Sequence, residues 1–398
     1  MITCGVDPSR QGFAVSFVKN MHEFEYLKYK NSPAGIRDFI KKIKKIKPMP
    51  SICIEGHGDQ AKMLALYLNK NSFSLYEINP LKSRRFKESI TDNKTDHIDA
   101  YSSAMFPFFR DDLNELSINM KIEGLKNMTR SSEKIGKMVV QMKNRLHAAL
   151  NQNFGLLYKE LFSKFNQTSL NFYINFSSLN EISNATVSQI HKVFKLGDST
   201  KYKGNFGKNK AKEIKEFVKN TYFFELNDFT KLQGEVIKSI AEILLKIIKS
   251  HDRIKKAIKD YVTKMFPGFS YYLEDLKGVK ELTFGKLISE IKDIDSFSNE
   301  GKLASYAGQA PKIYQSASIK KMRVSKNYNR HLSHTIHLIT CTNIQKTGIF
   351  HNLYEKNKKC YKSKLGAMKP IKRKIVRRLY YILKEYFNDL KNDSLKTG

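Results

Sequence analysis

The sequence predicts an α/β plus α protein in three parts: an α/β N-terminal domain (1–110), a long helical, coiled-coil-like middle (111–270) and a mainly helical C-terminal domain (271–398). Three observations carry this reading. Short strand-like apolar runs alternate with helical patterns over the first hundred residues. After Phe109 apolar residues recur at three- and four-residue steps over unusually long stretches, and near residue 271 a new globular pattern with its own turn signals begins. The 41% hydrophobic content of the 398 residues is enough to bury two or three cores.

The N-terminal elements read in order as strands over 2–7, 12–18 and 23–29, a helix over 33–46, a strand over 50–55, a helix over 58–70, a strand over 73–78, a helix over 81–89, and a last helix opening at Asp96. Three antiparallel strands followed by alternating helices and strands is the ribonuclease H-like, or RuvC-like, succession. Asp7 closes the apolar run Ile2 to Val6 and Glu55 closes Ile52 to Ile54, so each is expected at a strand end on the rim of the sheet. Neighbouring parallel strands would bring those rims together. Asp96 and Asp99, three apart at a helix start, face the same side of one turn. Two carboxylates from the sheet and two from a helix make an all-oxygen cage suited to Mg2+ or Mn2+. Taken singly, each acid has a plainer reading as a turn former or helix cap; it is the order of elements that favours the cage.

The formal net charge of +33 exceeds any need of solubility and points to a polyanionic partner. Residues 301–398 hold 22 Lys and Arg against 4 acids, so the C-terminal part is the expected backbone clamp. Its densest stretch, Lys369 to Tyr381, places Lys372, Arg373, Arg377 and Arg378 among apolar residues at helical spacing; Lys280, Lys320, Lys321, Arg323 and Lys326 are further candidates. A solvated basic face is the alternative. No long uninterrupted apolar run and no secretory pattern occur, and Cys4, Cys53, Cys341 and Cys360 lack metal-type pairing, so no membrane partner and a reducing cytoplasm are expected.

Ile118, Ile122, Leu125, Ile135, Met138, Val139, Met142, Leu146 and Leu150 mark a first long amphipathic helix. Leu232, Val236, Ile240, Ile243, Ile247, Ile254, Ile258, Tyr261 and Met265 mark a second, near-heptad one with a lapse at Ser250 and His251. The two pair with each other or across the subunits of a dimer or tetramer. Between them, glycines at 197, 204 and 207 predict a polar loop over 197–210. Leu276-Lys277-Gly278-Val279-Lys280, followed by a helix from Leu282 to Ile291, resembles a helix-hairpin-helix whose turn offers N–H groups to phosphate; a plain helix-turn-helix is the alternative, because Lys280 stands where a second glycine is usual.

Together these residues resemble the DEDD-type insertion-sequence transposases, the Piv-like site-specific recombinase family whose better-known members are guided by a bridge RNA. The N-terminal marks are Asp7, Glu55, Asn79-Pro80 and Lys94-Thr95-Asp96-x-x-Asp99-Ala100, with Asn144-Arg145-Leu146 on the first long helix. The C-terminal marks are Gly278-Val279, the region of Phe297, and Leu303 to Pro311 followed by Gln315-Ser316. The resemblance implies that Asp7, Glu55, Asp96 and Asp99 bind metal and that Ser316 is a nucleophile forming a phosphoserine link to DNA; the more than two hundred residues between Ser316 and the acids predict a composite site, completed within one chain or in trans by a second subunit. It also implies donor and target DNA and a guide RNA as partners, in a prokaryotic, nucleoid-associated setting. The chain departs from the pattern where Ala317 replaces a glycine after the serine, with Ser318 close enough to compete, and where Tyr328-Asn329 and Ser333 replace a Gly-Asn and a helix arginine. A RuvC-type junction or flap nuclease using water is the alternative on the same four acids; a binding protein with decayed chemistry is the third.

Overall fold

A computed structural model describes the chain except residues 56, 57, 59, 92, 111, 112, 117, 198, 199, 222–226, 317, 318, 325, 326, 397 and 398, and describes the backbone alone at 81, 114, 156, 227, 311–316, 319–324 and 393–396. By packing it divides into two units, Met1–Glu123 and Gly124–Gly398.

In the first unit β1 (Ile2–Pro8), β2 (Gly12–Lys19) and β3 (His22–Lys30) form an antiparallel meander. After α1 (Pro33–Lys45), β4 (Ser51–Glu55) joins β1 in parallel; after α2 (Lys62–Lys70), β5 (Leu75–Ile78) joins β4, also in parallel. Two-residue β6 (Asn114–Glu115) closes the order β3-β2-β1-β4-β5-β6. Strand alternation gives the sheet two faces. Cys4, Val6, Ile52 and Ile54 face α1 and α2 in a core with Phe17, Phe39, Ile43, Leu64 and Leu68. Thr3, Gly5 and Cys53 face the other side, where α3 (Pro80–Ile90) and α4 (Asp96–Phe109) pack. Strand and helix edges fall within a few residues of the pattern reading, the widest gap being at α2, where Ala61 and Lys62 first bond back to Gly58 as a turn. Leu116 and Ile118 belong to this core, which carries the unit past residue 110.

The second unit is mostly helical. Long α5 (Met120–Phe154) and α11 (Asn227–Met265) flank the short helices α6 (Tyr158–Leu161), α7 (Gln167–Asn175), α8 (Leu179–Asn184), α9 (Val187–Phe194) and α10 (Asn205–Lys219). Leu146 and Leu150 of α5 and Ile237, Ala241 and Leu244 of α11 contribute to one core with the short helices between them. The lapse at His251 is a crossing point: its ring meets Ser132 Oγ at 3.1 Å and lies over Gly136. The polar loop expected over 197–210 gives way to α10 from Asn205, where Gly207 lets the Tyr202 carbonyl sit closer than any Cβ would permit.

There follow α12 (Phe269–Tyr272), α13 (Glu281–Ile291), α14 (Glu300–Tyr306), the hairpin β7 (Pro311–Ser316) and β8 (Ile319–Val324), then α15 (Arg330–Asn343), α16 (His351–Cys360) and α17 (Lys364–Lys396). Packing shows no break near 271, because Gly285 of α13 seats directly on Ile258 and Val262 of α11 and Phe266 stacks edge-on to Phe284. The stretch expected to resemble a helix-hairpin-helix is short on its first side. α12 is a single turn, and two of the following N–H groups are already bound, Lys277 by Asn343 Oδ1 at 3.2 Å and Val279 by the Leu276 carbonyl. Among the described residues no helix is long and apolar enough to cross a membrane.

Candidate active site

The position of Asp7 follows from Gly5. A Cβ at Gly5 would lie 2.0 Å from the Ala100 carbonyl oxygen and 2.2 Å from the Ala104 nitrogen, so only glycine lets α4 rest its backbone on β1. Thr3 Oγ1 fixes the contact by donating to the Ala104 carbonyl at 2.7 Å. Thr95 caps α4 by accepting from Ile98 N, and this starts the helix so that Asp96 and Asp99 lie in its first turn, where a helix favours negative charge. Pairing of Thr3 with Ser51 and of Gly5 with Cys53 carries the same face of β1 and β4 on to Asp7 and Glu55.

Lys87 of α3 joins two of these acids. Its Nζ lies 2.5 Å from Glu55 Oε2 and 2.8 Å from Asp99 Oδ1, with all three side chains mostly buried. Ser83, one turn earlier, donates to Glu55 Oε2 at 3.0 Å. Burial, and then the charges of Asp99, Asp96 and Glu55, push the Asp7 carboxyl up to about 6 against the pull of Lys87. Asp96 belongs to this field, but its carboxylate is turned to Lys28 of β3 at 3.0 Å, and the next residue, His97, meets Glu23 at 2.8 Å. Among the described residues no three acidic, histidine or cysteine side chains converge as a ready-made metal cage. The donor set nevertheless fits a divalent ion. Asp7, Glu55 and Asp99 surround the cation Lys87, and all the donors are hard oxygens.

Lys87, Ser83 and Lys28 are absent from the sequence reading. Ser83 and Lys87 are four apart on α3 and so share a face, yet nothing separates Lys87 from the many other lysines until the fold places it beside Glu55.

A DEDD-type transposase model of the IS110 group matches residues 4–155, and the model described as Transposase IS116/IS110/IS902 family matches residues 270–355. The chain belongs to the IS110 family of DEDD transposases. A comparison with curated proteins gave no match. Membership makes this IS110-family transposase an enzyme that cuts and rejoins DNA, and it implies dependence on a divalent metal.

Within the second matched segment, the transposase builds a stem for the hairpin that ends β7 at Ser316. Gly308, at φ +70, brings the turn against the ring of Tyr328, where a Cβ would sit 2.5 Å away. Gln309 N donates to the Ala304 carbonyl at 2.7 Å, and Asn329 N to the Tyr306 carbonyl at 2.8 Å. Asn329 also caps α15 at Leu332 N, and its Nδ2 donates to buried Glu290 at 2.7 Å. Arg130 grips the same carboxylate with Nε and Nη2 at 2.6 and 2.8 Å; burial works against that charge, but these bonds carry Glu290 below its ordinary value. Glu133 takes His331 at 2.7 Å on the next turn of α5. Where the family pattern has an arginine, Ser333 accepts from Gln309 at 3.0 Å.

Ser316 pairs with Ile319 across the hairpin, and Lys320, Lys321 and Arg323 lie on β8 in backbone register with Gln315, Tyr314 and Lys312. Ser318 and Lys326 lie outside the described residues. Lys280 is the exposed N-cap residue of α13. On α17, Lys372 is half-buried and burial pulls its pKa down, whereas Arg373 is exposed. Arg377 pairs with Glu300 at 3.6 Å and Arg378 with Asp275.

Proposed function

We propose that the transposase is a guide-RNA-directed DNA recombinase with a ribonuclease H-like metal domain and a serine nucleophile. The observation that carries the metal half is the gathering of Asp7, Glu55 and Asp99 at one end of β1, β4 and α4 around Lys87. Asp7, Glu55 and Asp99 would hold Mg2+ or Mn2+, with Asp96 as a fourth oxygen donor. When bound, the ion supplies charge neutralisation at the scissile phosphate. The sheet order β3-β2-β1-β4-β5, with three antiparallel strands and two parallel additions, supports the ribonuclease H-like assignment.

The serine half rests on the family pattern at Gln315-Ser316 and on the stem described above, which sets the backbone leading into the hairpin. Ser316 Oγ attacks phosphorus, the bond to the leaving hydroxyl of the strand breaks, and the phosphoserine link keeps a phosphodiester available for rejoining. Lys280, Lys320, Lys321, Arg323 and Lys326, with the outer face of α17, hold nucleic-acid backbone, while base pairing with a guide RNA selects sequence. Leu232, Val236 and Ile243, exposed on one face of α11 while the opposite face is buried, support assembly of copies through that helix.

The test is covalent capture. Denaturing gels of the protein with labelled DNA, its co-purified RNA and Mg2+ should show a protein–DNA adduct that Ser316→Ala abolishes while nucleic-acid binding persists; Ser318→Ala should keep it. Strand cleavage by Ser316→Ala without any adduct would replace this reading with a water-using nuclease.

A further inference from the structure

We propose that Lys87 is a built-in counter-cation which holds the Glu55/Asp99 junction in the metal-free protein and is displaced from it when a divalent ion binds. The inference rests on the metal reading above and extends it to a residue outside the four acids.

Lys87 Nζ contacts Glu55 Oε2 at 2.5 Å and Asp99 Oδ1 at 2.8 Å, one oxygen from each of two proposed ligands. An ion held by both carboxylates needs the space between those oxygens, which the ammonium now fills. The lysine is placed for this by structure. α3 starts at Pro80, Ser83 N bonds back to the Asn79 carbonyl, and Phe86 packs edge-on to Phe106 of α4, so Ser83 and Lys87 both project to Glu55. The arrangement answers a physical need. Carboxylates this close repel one another and would splay in the absence of metal; one ammonium keeps two of them together while leaving net negative charge to draw in a divalent ion. Lys28 of β3 pairs with Asp96 alone, at 3.0 Å, so the two helix acids have different lysine partners and only Lys87 joins two acids.

Competition of this kind predicts a direction that a purely structural or a metal-assisting lysine does not. Mn2+ binding to the full chain without nucleic acid, followed by calorimetry or by the EPR signal of free Mn2+, should be on the order of tenfold tighter in Lys87→Met than in wild type, because a like charge no longer shares the site. Lys87→Arg should stay within about threefold of wild type, since the competing charge is kept. In EDTA, Lys87→Met should melt below wild type, and Mn2+ should raise its Tm by more. Lys87→Gln, which keeps a donor without the charge, is measured in parallel and should also bind Mn2+ more tightly, so a folding failure of the methionine variant does not leave the question open. Unchanged or weaker Mn2+ binding by the folded neutral variants overturns the proposal. Absence of Mn2+ binding by the wild type itself would instead overturn the metal reading on which it rests.

Discussion

Asp7 sits where strand alternation and the close approach of α4 put it, with the mostly buried Glu55 and Asp99 and the exposed Asp96 acting on it. Its pKa on folding rises from 3.8 to about 6. An acid that holds its proton more tightly when folded contributes stability that is full below the unfolded value and is lost as pH climbs through the folded one. The metal-free transposase should therefore lose stability between about pH 4 and pH 7, by about 1–2 kcal/mol from this residue after allowing for its partial exposure to solvent. Asp7→Asn removes the charge and keeps the shape. Urea unfolding in EDTA should find the variant about 1 kcal/mol more stable than wild type at pH 8 and equal to it near pH 4, while cleavage is abolished. The same pH dependence in both proteins would show that the charge conflict lies elsewhere.

At the scale of elements, the seam between β1 and α4 delivers two of the acids to the other two. Gly5, Ala100 and Ala104 make it by having almost nothing to keep the backbones apart. Gly5→Ala asks for a methyl where Ala100 O lies 2.0 Å away, so the helix must lift and carry Asp96 and Asp99 with it. Overpacking of this kind costs about 1–3 kcal/mol. The melting temperature should fall by several degrees, and Mn2+ affinity should drop further than it does for an equally destabilising change in the α1 core, such as Ile43→Val. Equal loss of affinity in both would mean that the seam stabilises the fold without aiming the acids. The strands and helices of the first unit, and the places of Asp7 and Glu55 at strand ends and of Asp96 and Asp99 at a helix start, were legible because each is written in local periodicity or beside a cap. Lys87 and Lys28 were not, since one lysine among many acquires meaning only when α3 and β3 are set against Glu55 and Asp96. The turn at Gly278 shows a related limit: Asn343, sixty-six residues away, takes the Lys277 N–H, a partner that no local pattern announces.

Across the molecule the net charge of +33 must be divided between cations that hold the fold and cations that meet nucleic acid. α17 shows the division along a single helix. Ala367, Ile371, Ile375, Leu379 and Leu383 are buried, Lys372 is half-buried beside them, and Arg377 and Arg378 face Glu300 and Asp275 while remaining partly open to water. Such exposed pairs contribute little to stability, so their arginines can exchange a carboxylate for a phosphate at small cost. Lys372 differs: replacing it tests packing as much as binding, and it is best left in place. Arg373→Gln, Lys374→Gln, Arg377→Gln and Arg378→Gln combined should leave the fold intact and weaken binding to unrelated DNA sequences alike. Each lost B-DNA phosphate contact lowers the slope of log affinity against log salt by about 0.9. A slope lower by about 2 to 3.5, measured by fluorescence anisotropy across salt concentrations, is expected if most of the four meet backbone. If affinity falls at a single salt concentration with the slope unchanged, the loss is one of shape, and the phosphate grip belongs to the lysines of β8 and the α13 N-terminus instead.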